Sequence, residues 1–431
     1  MALLGFAVFA MFFGAGNLIF PPYLGLETGS QWFSGFLCFI AVECGMAIAA
    51  LLAALRQPRG FAGIAAPLGG PPALLLESLV ALCMGPLVVV PRTVAAVYEL
   101  AVRPNFPGVP PWVSSALFIA PVALACLKRS KLVAVLGKAL APVILVSLAA
   151  LLLSGILRPL AAPREAQDTA FALRAGLEAG YQTMDMLGAL MLSFVVSGMT
   201  DRLGYVGPRQ RLGVSFAACA LACAALFAVY GGLTYLGASA SAVYSEKLGR
   251  SGLLLALTKA LLGPLGLPVM ALIVTGACVT TAIGFTSASA ECFRELSGNR
   301  LPYGPLVIGS CALSFGIANL GISSIVSLTA PVLELVYPVL ISLVLLSFFD
   351  RRVANVNIHR GAALMGLLAA LLSLVDRQTP LSLGADKLPL ADAGLAWVLP
   401  ALLGGAAGGL VSKKRNSVAL FTSRGRAAPP M

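Results

Sequence analysis

The fold is decided by an interrupted apolar segment near the start of the chain, Phe12-Phe13-Gly14-Ala15-Gly16-Asn17-Leu18-Ile19-Phe20-Pro21-Pro22. Apolar residues continue on both sides of the interruption, and together they are long enough to cross a membrane. Glycine costs a helix about 1 kcal/mol relative to alanine, and asparagine also disfavours a helix. The pattern therefore predicts a membrane-spanning helix that unwinds at Gly14-Ala15-Gly16-Asn17.

The composition is that of a multi-span membrane protein. Hydrophobic residues make up 59% of the 431 residues, and charged residues make up 11%. Because a soluble domain carries roughly 25% charged residues, an ordinary soluble enzyme, a disordered chain and a disulfide scaffold are excluded. Long continuous apolar runs favour helices over a β-barrel. The nine cysteines lie mostly within these runs and are interpreted as small buried apolar residues.

Working outward from the first segment, the apolar runs predict twelve transmembrane helices. An additional short apolar stretch, Leu253–Leu262, is interpreted as an interfacial or loop helix between spans seven and eight. The twelve predicted spans are 2–26, 31–55, 73–101, 112–127, 132–157, 179–200, 212–237, 266–292, 303–319, 323–348, 360–375 and 393–412.

The distribution of basic residues predicts the orientation in the membrane. With twelve spans both termini lie on one side, and that side holds 19 of the 29 lysine and arginine residues. The opposite side holds nine, and Arg92 falls within a span. This excess predicts that both termini are cytoplasmic. Because the basic residues form short groups between apolar runs, the net charge of +12 indicates membrane topology and not nucleic acid binding. No cleavable signal peptide is expected.

A second interruption falls in span six, at Tyr181-Gln182-Thr183-Met184-Asp185-Met186-Leu187-Gly188. Spans one and six begin two halves of five helices each, and an odd number of helices inverts the second half. Breaks at corresponding positions predict an inverted repeat with a binding site between the broken helices. The predicted units are 1–158 for helices one to five, 176–348 for helices six to ten, 358–412 for helices eleven and twelve, and a cytoplasmic tail at 413–431.

The unwound turn at Gly14-Ala15-Gly16-Asn17 has the chemistry of a binding site. Free N–H groups at the start of the second half-helix, with the positive end of the helix dipole, suit a carboxylate. Carbonyl groups of Ala10 and Phe13, at the end of the first half-helix, suit a small cation. A contact between small residues of two helices is the alternative. Asn17 and the following Pro21-Pro22 favour the binding site.

Two further groups of polar residues lie within spans. Asp185 near the middle of span six is a candidate for binding an ammonium group, coordinating a cation or carrying a proton, with Thr183 beside it; a structural hydrogen bond is the alternative. In span eight, the hydroxyl groups of Thr280 and Thr281 would suit a hard cation such as sodium if carbonyl groups completed the site. The alternative there is a bond from each hydroxyl to a carbonyl of its own helix.

The prolines in Gly85-Pro86 and Pro91-Arg92-Thr93 interrupt span three and predict a bend. Arg92 must pair within the protein or reach water, and the sequence does not choose among its acidic candidate partners. Those candidates are Glu77, Glu99 and Asp185. Three other acidic residues within spans are assigned structural roles: Glu43, Glu291 and Glu334.

Intramembrane catalysis is not expected. His359, the single histidine, lies beside Arg360 at a predicted helix start and is interpreted as a solvated loop residue. One histidine excludes a histidine relay and most histidine-rich metal sites. The chain has neither an HExxH pair nor a glycine-rich phosphate-binding loop. The protein is therefore not predicted to be an enzyme, and no cofactor is expected.

The chain resembles the bacterial family of branched-chain amino acid:cation symporters. The resemblance spans nearly the whole chain in order, and the motifs of spans one and six together are the most specific part. It is carried by the motifs Phe13 to Pro22, Gly85-Pro86 with Pro91-Arg92-Thr93, Gly180 to Ala189, Val279 to Glu291, and Asn319-Leu320-Gly321-Ile322-Ser323.

The resemblance implies the leucine-transporter fold and sodium-coupled uptake of leucine, isoleucine and valine. It also implies one sodium ion between spans one and eight, held by carbonyl groups of Ala10, Phe13 and Ala277 and by the hydroxyl groups of Thr280 and Thr281. The implied substrate-binding residues are Gly14, Ala15, Gly16, Asn17, Val89, Thr93, Thr183 and Asp185.

The sequence therefore predicts an all-α integral membrane protein of the bacterial inner membrane, a sodium-coupled symporter that works by alternating access. Its expected partners are a branched-chain amino acid, sodium and membrane lipid. Three alternatives remain open: coupling to a proton through Asp185, transport of another small solute, and a channel. The sequence does not predict an oligomeric state.

Overall fold

The computed structural model of the protein describes residues 4–5, 8–9, 12–128, 132–165, 168–202, 204–205, 207–350, 355–378 and 384–411, and these are organised as helices. The α-helices of six residues or more are α1 (Ala15–Thr28), α2 (Trp32–Ile40), α3 (Ala47–Arg56), α4 (Gly60–Ala65), α5 (Gly70–Leu82), α6 (Val89–Val97), α7 (Pro111–Lys128), α8 (Leu132–Leu157), α9 (Thr169–Thr183), α10 (Asp185–Arg202), α11 (Pro208–Ala240), α12 (Gly249–Leu262), α13 (Gly266–Leu296), α14 (Tyr303–Ala318), α15 (Ile322–Ser347), α16 (Val356–Gln378) and α17 (Val398–Leu410).

The apolar helices coincide with the predicted spans, which confirms an all-α membrane protein. Within the described ranges, seven segments are long and apolar enough to cross a membrane. Helices α14 and α17 and part of α8 are apolar but shorter. The count of twelve crossings and the boundaries of the two repeats stay predictions. The seven segments are Gly16–Arg56, Gly70–Asn105, Pro111–Lys128, Gln210–Ala240, Glu246–Leu296, Ile322–Ser347 and Val356–Gln378.

Both predicted interruptions are present, but the first is shorter than predicted: Phe13 and Gly14 are non-helical, whereas Ala15, Gly16 and Asn17 already belong to α1. Gly14, just before α1, has an extended backbone with φ −119° and ψ −176°. Between α9 and α10, Met184 is left-handed with φ 62° and ψ 19°. A residue with a side chain rarely adopts this conformation, so the surrounding packing must hold the break in place.

Two irregular turns shape the helices around these breaks. The helix that follows α5 widens at Cys83–Leu87, where Gly85 departs from helical geometry, and α6 begins at Val89 after the predicted bend. A wide π-type turn also joins α2 to α3 at Ala41–Met46. Such turns shift the side chains that follow by a fraction of a turn and are frequent at functional sites. This second turn carries Glu43, which is buried.

Glycines allow α1 and α11 to pack with their backbones in direct contact. A Cβ atom built on Gly25 would lie 1.9 Å from the carbonyl oxygen of Thr234, and one on Gly237 would lie 1.8 Å from that of Pro22. Small residues at such crossings are typical of membrane helices, because apolar lipid offers no hydrophobic drive for helix association and close packing replaces it. The contact fixes α1, and hence its break, against α11.

We expect Gly237→Ala to lower the thermal stability of the purified protein in detergent. The added methyl group has no room and must push α1 and α11 apart, a type of overpacking that costs about 1–3 kcal/mol. Gly309→Ala is the matched control, because nothing lies within 4 Å of its Cβ position. Equal unfolding temperatures for the two variants would contradict the close contact between α1 and α11.

Candidate functional site

The side-chain amide of Asn17 is the centre of a buried polar cluster beside the break of α1. Its Nδ2 atom lies 2.7 Å from the carbonyl oxygen of Phe12, 3.2 Å from Glu43 Oε1, 2.6 Å from Asp185 Oδ2 and 2.7 Å from the hydroxyl oxygen of Tyr230. One of these oxygens belongs to the segment just before α1, and the other three belong to three separate parts of the chain. An amide nitrogen donates only two hydrogen bonds, so it cannot satisfy all four oxygens.

Glu43 and Asp185 form a pair of acidic side chains in this cluster, which we call the carboxyl pair. Glu43 is 1% exposed and Asp185 is 8% exposed. One oxygen of each carboxyl group lies within hydrogen-bonding distance of the same Asn17 nitrogen, so the two groups are close neighbours. Glu43 Oε2 has no hydrogen-bond partner among the described residues. From the sequence, Glu43 was assigned a structural role and Tyr230 was not identified. The one sequence signal for Glu43 was its position as an acidic residue near the middle of span two.

Arg92, on α6, is buried and donates to the backbone at the end of α9. Its Nη1 atom lies 2.5 Å from the carbonyl oxygen of Gln182, and its Nη2 atom lies 3.4 Å from that of Thr183. Carbonyl groups in the last turn of a helix have no partner within the helix, and a cation there also favours the helix dipole. Arg92 therefore stabilises the break in span six. Its charge also acts on Asp185.

The other acidic residues considered in the sequence lie elsewhere. Glu99 accepts hydrogen bonds from the Ser251 hydroxyl and from the backbone N–H of Ile322, at the start of α15. Glu291 pairs with Arg294, and Glu334 pairs with Arg377. Glu77 is near Arg59. The hydrogen bonds of Arg92 go to backbone carbonyl groups and not to Glu77, Glu99 or Asp185, although Asp185 is close enough for its charge to act on Arg92.

His359 is not a solvated loop residue, as its polar neighbours in the sequence suggested. Its side chain is buried, and its Nε2 atom lies 3.1 Å from Asp350 Oδ1. Asp350 also accepts a hydrogen bond from Gln57 at the end of α3. The histidine therefore connects α16 to neighbouring helices through a shared acid.

The break of α1 also faces α13, where the sequence predicts a cation site. A Cβ atom on Gly14 would lie 3.4 Å from Thr281 Oγ1. The hydroxyl groups of Thr280 and Thr281 both donate to the carbonyl oxygen of Ala277, at 3.0 and 2.9 Å. A hydroxyl oxygen that donates its proton keeps lone pairs, so this bond is compatible with a cation on the other side. Phe13 adjoins Gly14 at the break, whereas Ala10 lies outside the described residues.

The remaining predicted substrate residues surround the same region. Gly16 faces Arg92: a Cβ atom there would lie 2.8 Å from Nη2. Val89 begins α6 and is buried. The hydroxyl groups of Thr93 and Thr183 are buried and donate to carbonyl oxygens of their own helices, those of Val90 and Gly180. Ala15 begins α1.

A cavity of about 470 Å³ approaches this region between α1, α9, α12 and α15. Phe20 and Gln182 line it. The guanidinium of Arg250 lies over the Phe20 ring, 5.4 Å from its centroid, and that of the buried Arg92 lies 5.6 Å from the same centroid. Phe20 therefore both lines the cavity and packs beside Arg92. We call this cavity the vestibule.

The family model described as "Branched-chain amino acid transport protein" matches residues 1–415. The chain belongs to this family. A relative from Pseudomonas aeruginosa, the branched-chain amino acid transport system 2 carrier protein, is 32% identical over 409 residues, which is 92% of each chain. The branched-chain amino acid permease BrnQ of Escherichia coli is 30% identical over 411 residues, 93% of this chain and 92% of the relative. The family and these relatives are transporters and not enzymes.

Solved structures support the fold. The nucleobase-cation-symport transporter Mhp1 in a closed conformation is similar with a TM-score of 0.64 at 14% identity, covering 95% of this chain and 91% of that one. A Na⁺-coupled sialic acid symporter is similar with a TM-score of 0.61 at 13% identity, covering 95% of this chain and 90% of that one. The chain is therefore a multi-pass membrane protein with the fold of these transporters.

We expect Arg92→Lys to lower thermal stability. Lysine keeps the charge but lacks the planar fork that reaches two carbonyl groups, and a buried carbonyl without a partner costs about 1–3 kcal/mol. Arg360→Lys is the control, because Arg360 donates to the carbonyl oxygen of Pro67 from an exposed position. If both variants unfold at the wild-type temperature, Arg92 does not hold the end of α9.

Proposed function

We propose that the protein is a sodium-coupled symporter that imports leucine, isoleucine and valine across the bacterial inner membrane by alternating access. The observation that carries this proposal is the pair of helix breaks, which meet at a buried cluster of Asn17, Asp185 and Arg92. Breaks of this kind place substrate and ion sites near the midplane of secondary transporters. The named substrates of the relatives supply the class of solute.

The cluster has complementary groups for both ends of an amino acid. The carboxylate of Asp185 suits the ammonium group, and the N–H groups at the start of α1, around Ala15 and Gly16, suit the carboxylate. Buried apolar residues such as Val89 suit an aliphatic side chain. Because one methylene group changes binding by only about 1–3 kcal/mol, such a pocket accepts all three branched amino acids.

The coupling ion is assigned to the interface of α1 and α13. Its proposed ligands are carbonyl oxygens of Ala10, Phe13 and Ala277 and the hydroxyl oxygens of Thr280 and Thr281, a set of neutral oxygens that suits a hard monovalent cation. The proximity of Gly14 to Thr281 supports this assignment. When no ion is carried in return, one sodium ion entering across 100 mV supplies about 2.3 kcal/mol, and each tenfold concentration gradient adds about 1.4 kcal/mol.

The vestibule is assigned to the outer side, because the charge distribution predicts cytoplasmic termini and the loop before α12 then faces outward. In this orientation Phe20 closes the outer path above the cluster. Movement of one repeat against the other would open the inner path.

The alternative coupling ion is a proton, because the carboxyl pair is a suitable carrier for a proton. Proton coupling in place of sodium would appear as sodium-independent uptake driven by an inward proton gradient. A channel is disfavoured, since broken helices around a closed polar cluster are typical of carriers.

The test of the proposed function is uptake of labelled leucine into proteoliposomes, with and without an inward sodium gradient at fixed pH and voltage. We expect stimulation by sodium, and competition by isoleucine and valine but not by lysine or glutamate. Leucine uptake without a sodium effect would remove the ion site at Thr280 and Thr281. Absence of leucine uptake under either ion gradient would overturn the substrate assignment.

We expect Thr281→Ala to raise the sodium concentration for half-maximal uptake about tenfold, since loss of one ligand is assigned about 1.4 kcal/mol. Thr258→Ala is the matched control, because its side chain is also buried and its hydroxyl donates to the carbonyl of Leu254 on α12. A normal sodium dependence in Thr281→Ala would place the ion elsewhere.

We expect Asp185→Asn to reduce leucine binding at least tenfold, because the ammonium group loses a charged acceptor and charged hydrogen bonds contribute about 1.5–3 kcal/mol. Asp168→Asn removes an exposed acid before α9 and should leave binding unchanged. Unchanged leucine binding by Asp185→Asn would exclude Asp185 from the substrate site.

A further inference from the structure

The geometry of the carboxyl pair carries an inference about proton movement that rests on the proposed function. We infer that Glu43 and Asp185 share one bound proton in the empty transporter and release it when sodium and the amino acid bind. The protein would then return one proton outward for each sodium ion and amino acid that it brings inward. Glu43 is the new element of this site, since the substrate and sodium assignments do not use it.

The hydrogen bonds of the cluster require more protons than Asn17 supplies. Asn17 supplies two N–H bonds and the Tyr230 hydroxyl supplies one O–H bond, which together can serve the Phe12 carbonyl oxygen and one oxygen of each carboxyl group. Among the described residues, Glu43 Oε2 is buried without a partner and is left without a donor. Two carboxylates beside one amide nitrogen, away from water, repel each other strongly, and a shared proton removes that repulsion and supplies the missing donor.

The balance of buried charge gives the same proton count. Among the described residues, four side chains of the Asp, Glu, His, Lys and Arg types are buried: Glu43, Arg92, Asp185 and His359. His359, on α16, pairs with Asp350 and is not part of the cluster. The other three sum to one negative charge if both acids are ionised. Because an uncompensated buried charge is costly, a single proton makes the empty site neutral.

Binding of the proposed ligands restores neutrality without that proton. The amino acid is a zwitterion and adds no net charge, whereas sodium adds one positive charge. With sodium present, both carboxyl groups can ionise, and the carboxylate of Asp185 can accept hydrogen bonds from the ammonium group. The O–H bond of the pair breaks, its electron pair stays on the carboxylate oxygen, and the proton passes to water.

Other titratable groups face the pair. Tyr230 and Cys223 approach from α11, Cys44 lies beside Glu43, and Tyr337 approaches from α15. An ionised tyrosine is an anion and would add to the repulsion, so Tyr230 and Tyr337 are expected to remain neutral. Arg92 is the basic group that acts on Asp185.

The experiment measures protons released when leucine binds to the purified full chain in weakly buffered detergent solution. Bound labelled leucine and the colour change of a pH indicator are recorded in the same sample with saturating sodium. We expect wild type to release up to one proton per leucine. Since proton and sodium exclude each other, we also expect the sodium concentration for half-maximal binding to rise up to tenfold per unit decrease in pH.

Glu43→Gln should release no proton when it binds leucine and should lose the pH dependence of its sodium requirement; because its loaded site carries one uncompensated positive charge, it should also require more sodium than wild type. Glu77→Gln makes the same chemical change near Arg59, outside the cluster, and should behave as wild type. If Glu43→Gln fails to fold, the wild-type titration alone decides, and Glu43→Asp should restore proton release.

The outcomes separate this inference from the function on which it rests. Sodium-dependent leucine binding by wild type with no proton release, or with proton uptake, would overturn the proton exchange and leave the symporter standing. Full proton release by Glu43→Gln would also overturn it. Leucine binding without any sodium dependence would overturn both, because the charge balance requires the cation.

Discussion

Backbone groups freed at the two helix breaks must find partners within the protein, because the lipid interior offers no hydrogen bonds. Two side chains meet this requirement. Asn17 donates to the carbonyl oxygen of Phe12 at the break of α1, and Arg92 donates to those of Gln182 and Thr183 at the end of α9. Each unpaired carbonyl would cost about 1–3 kcal/mol, so an interrupted helix is stable only with such donors beside it.

The need for hydrogen-bond donors at the two breaks determines the charges and the packing around them. A buried guanidinium needs negative charge nearby, and Asp185 supplies it at the start of α10. Gly16 must remain without a side chain, because a Cβ atom would lie 2.8 Å from Arg92 Nη2. The glycines that hold α1 against α11 keep Tyr230 within reach of Asn17. The polar site is therefore a consequence of the breaks and not an addition to a regular bundle.

The sequence was sufficient to predict the breaks but not the full cluster. Helix-weakening residues mark Gly14 to Asn17 and Gly85-Pro86, so local propensity finds them, and the acid at Asp185 marks span six. The contacts of Asn17 with Asp185 and Tyr230 join residues 168 and 213 positions apart, which periodicity within one helix cannot reveal.

Orientation within a helix was the second kind of information that the sequence lacked. The wide turn at Ala41–Met46 carries Glu43, which is buried facing the cluster, yet neither glycine pattern nor proline predicts that turn. Arg92 bonds to backbone carbonyl groups, so a search among acidic side chains could identify only its interaction with Asp185. His359 was misplaced for a related reason, because its polar neighbours in the sequence indicate exposure while its own side chain is buried against Asp350.

Coupling between the proposed ion and substrate sites follows from their sharing one short stretch of backbone. Residues 12–17 carry the carbonyl of Phe12 that Asn17 binds, Gly14 beside Thr281, and Asn17 itself in contact with the carboxyl pair. A cation that fixes the carbonyl group of Phe13 on the α13 side must also fix the side-chain amide of Asn17 on the α10 side, because only three residues lie between Phe13 and Asn17. Ordering this turn once for both ligands makes binding of the first favour binding of the second, and the effect is reciprocal. A continuous helix could not act in this way, since its carbonyl and N–H groups would already be paired with each other.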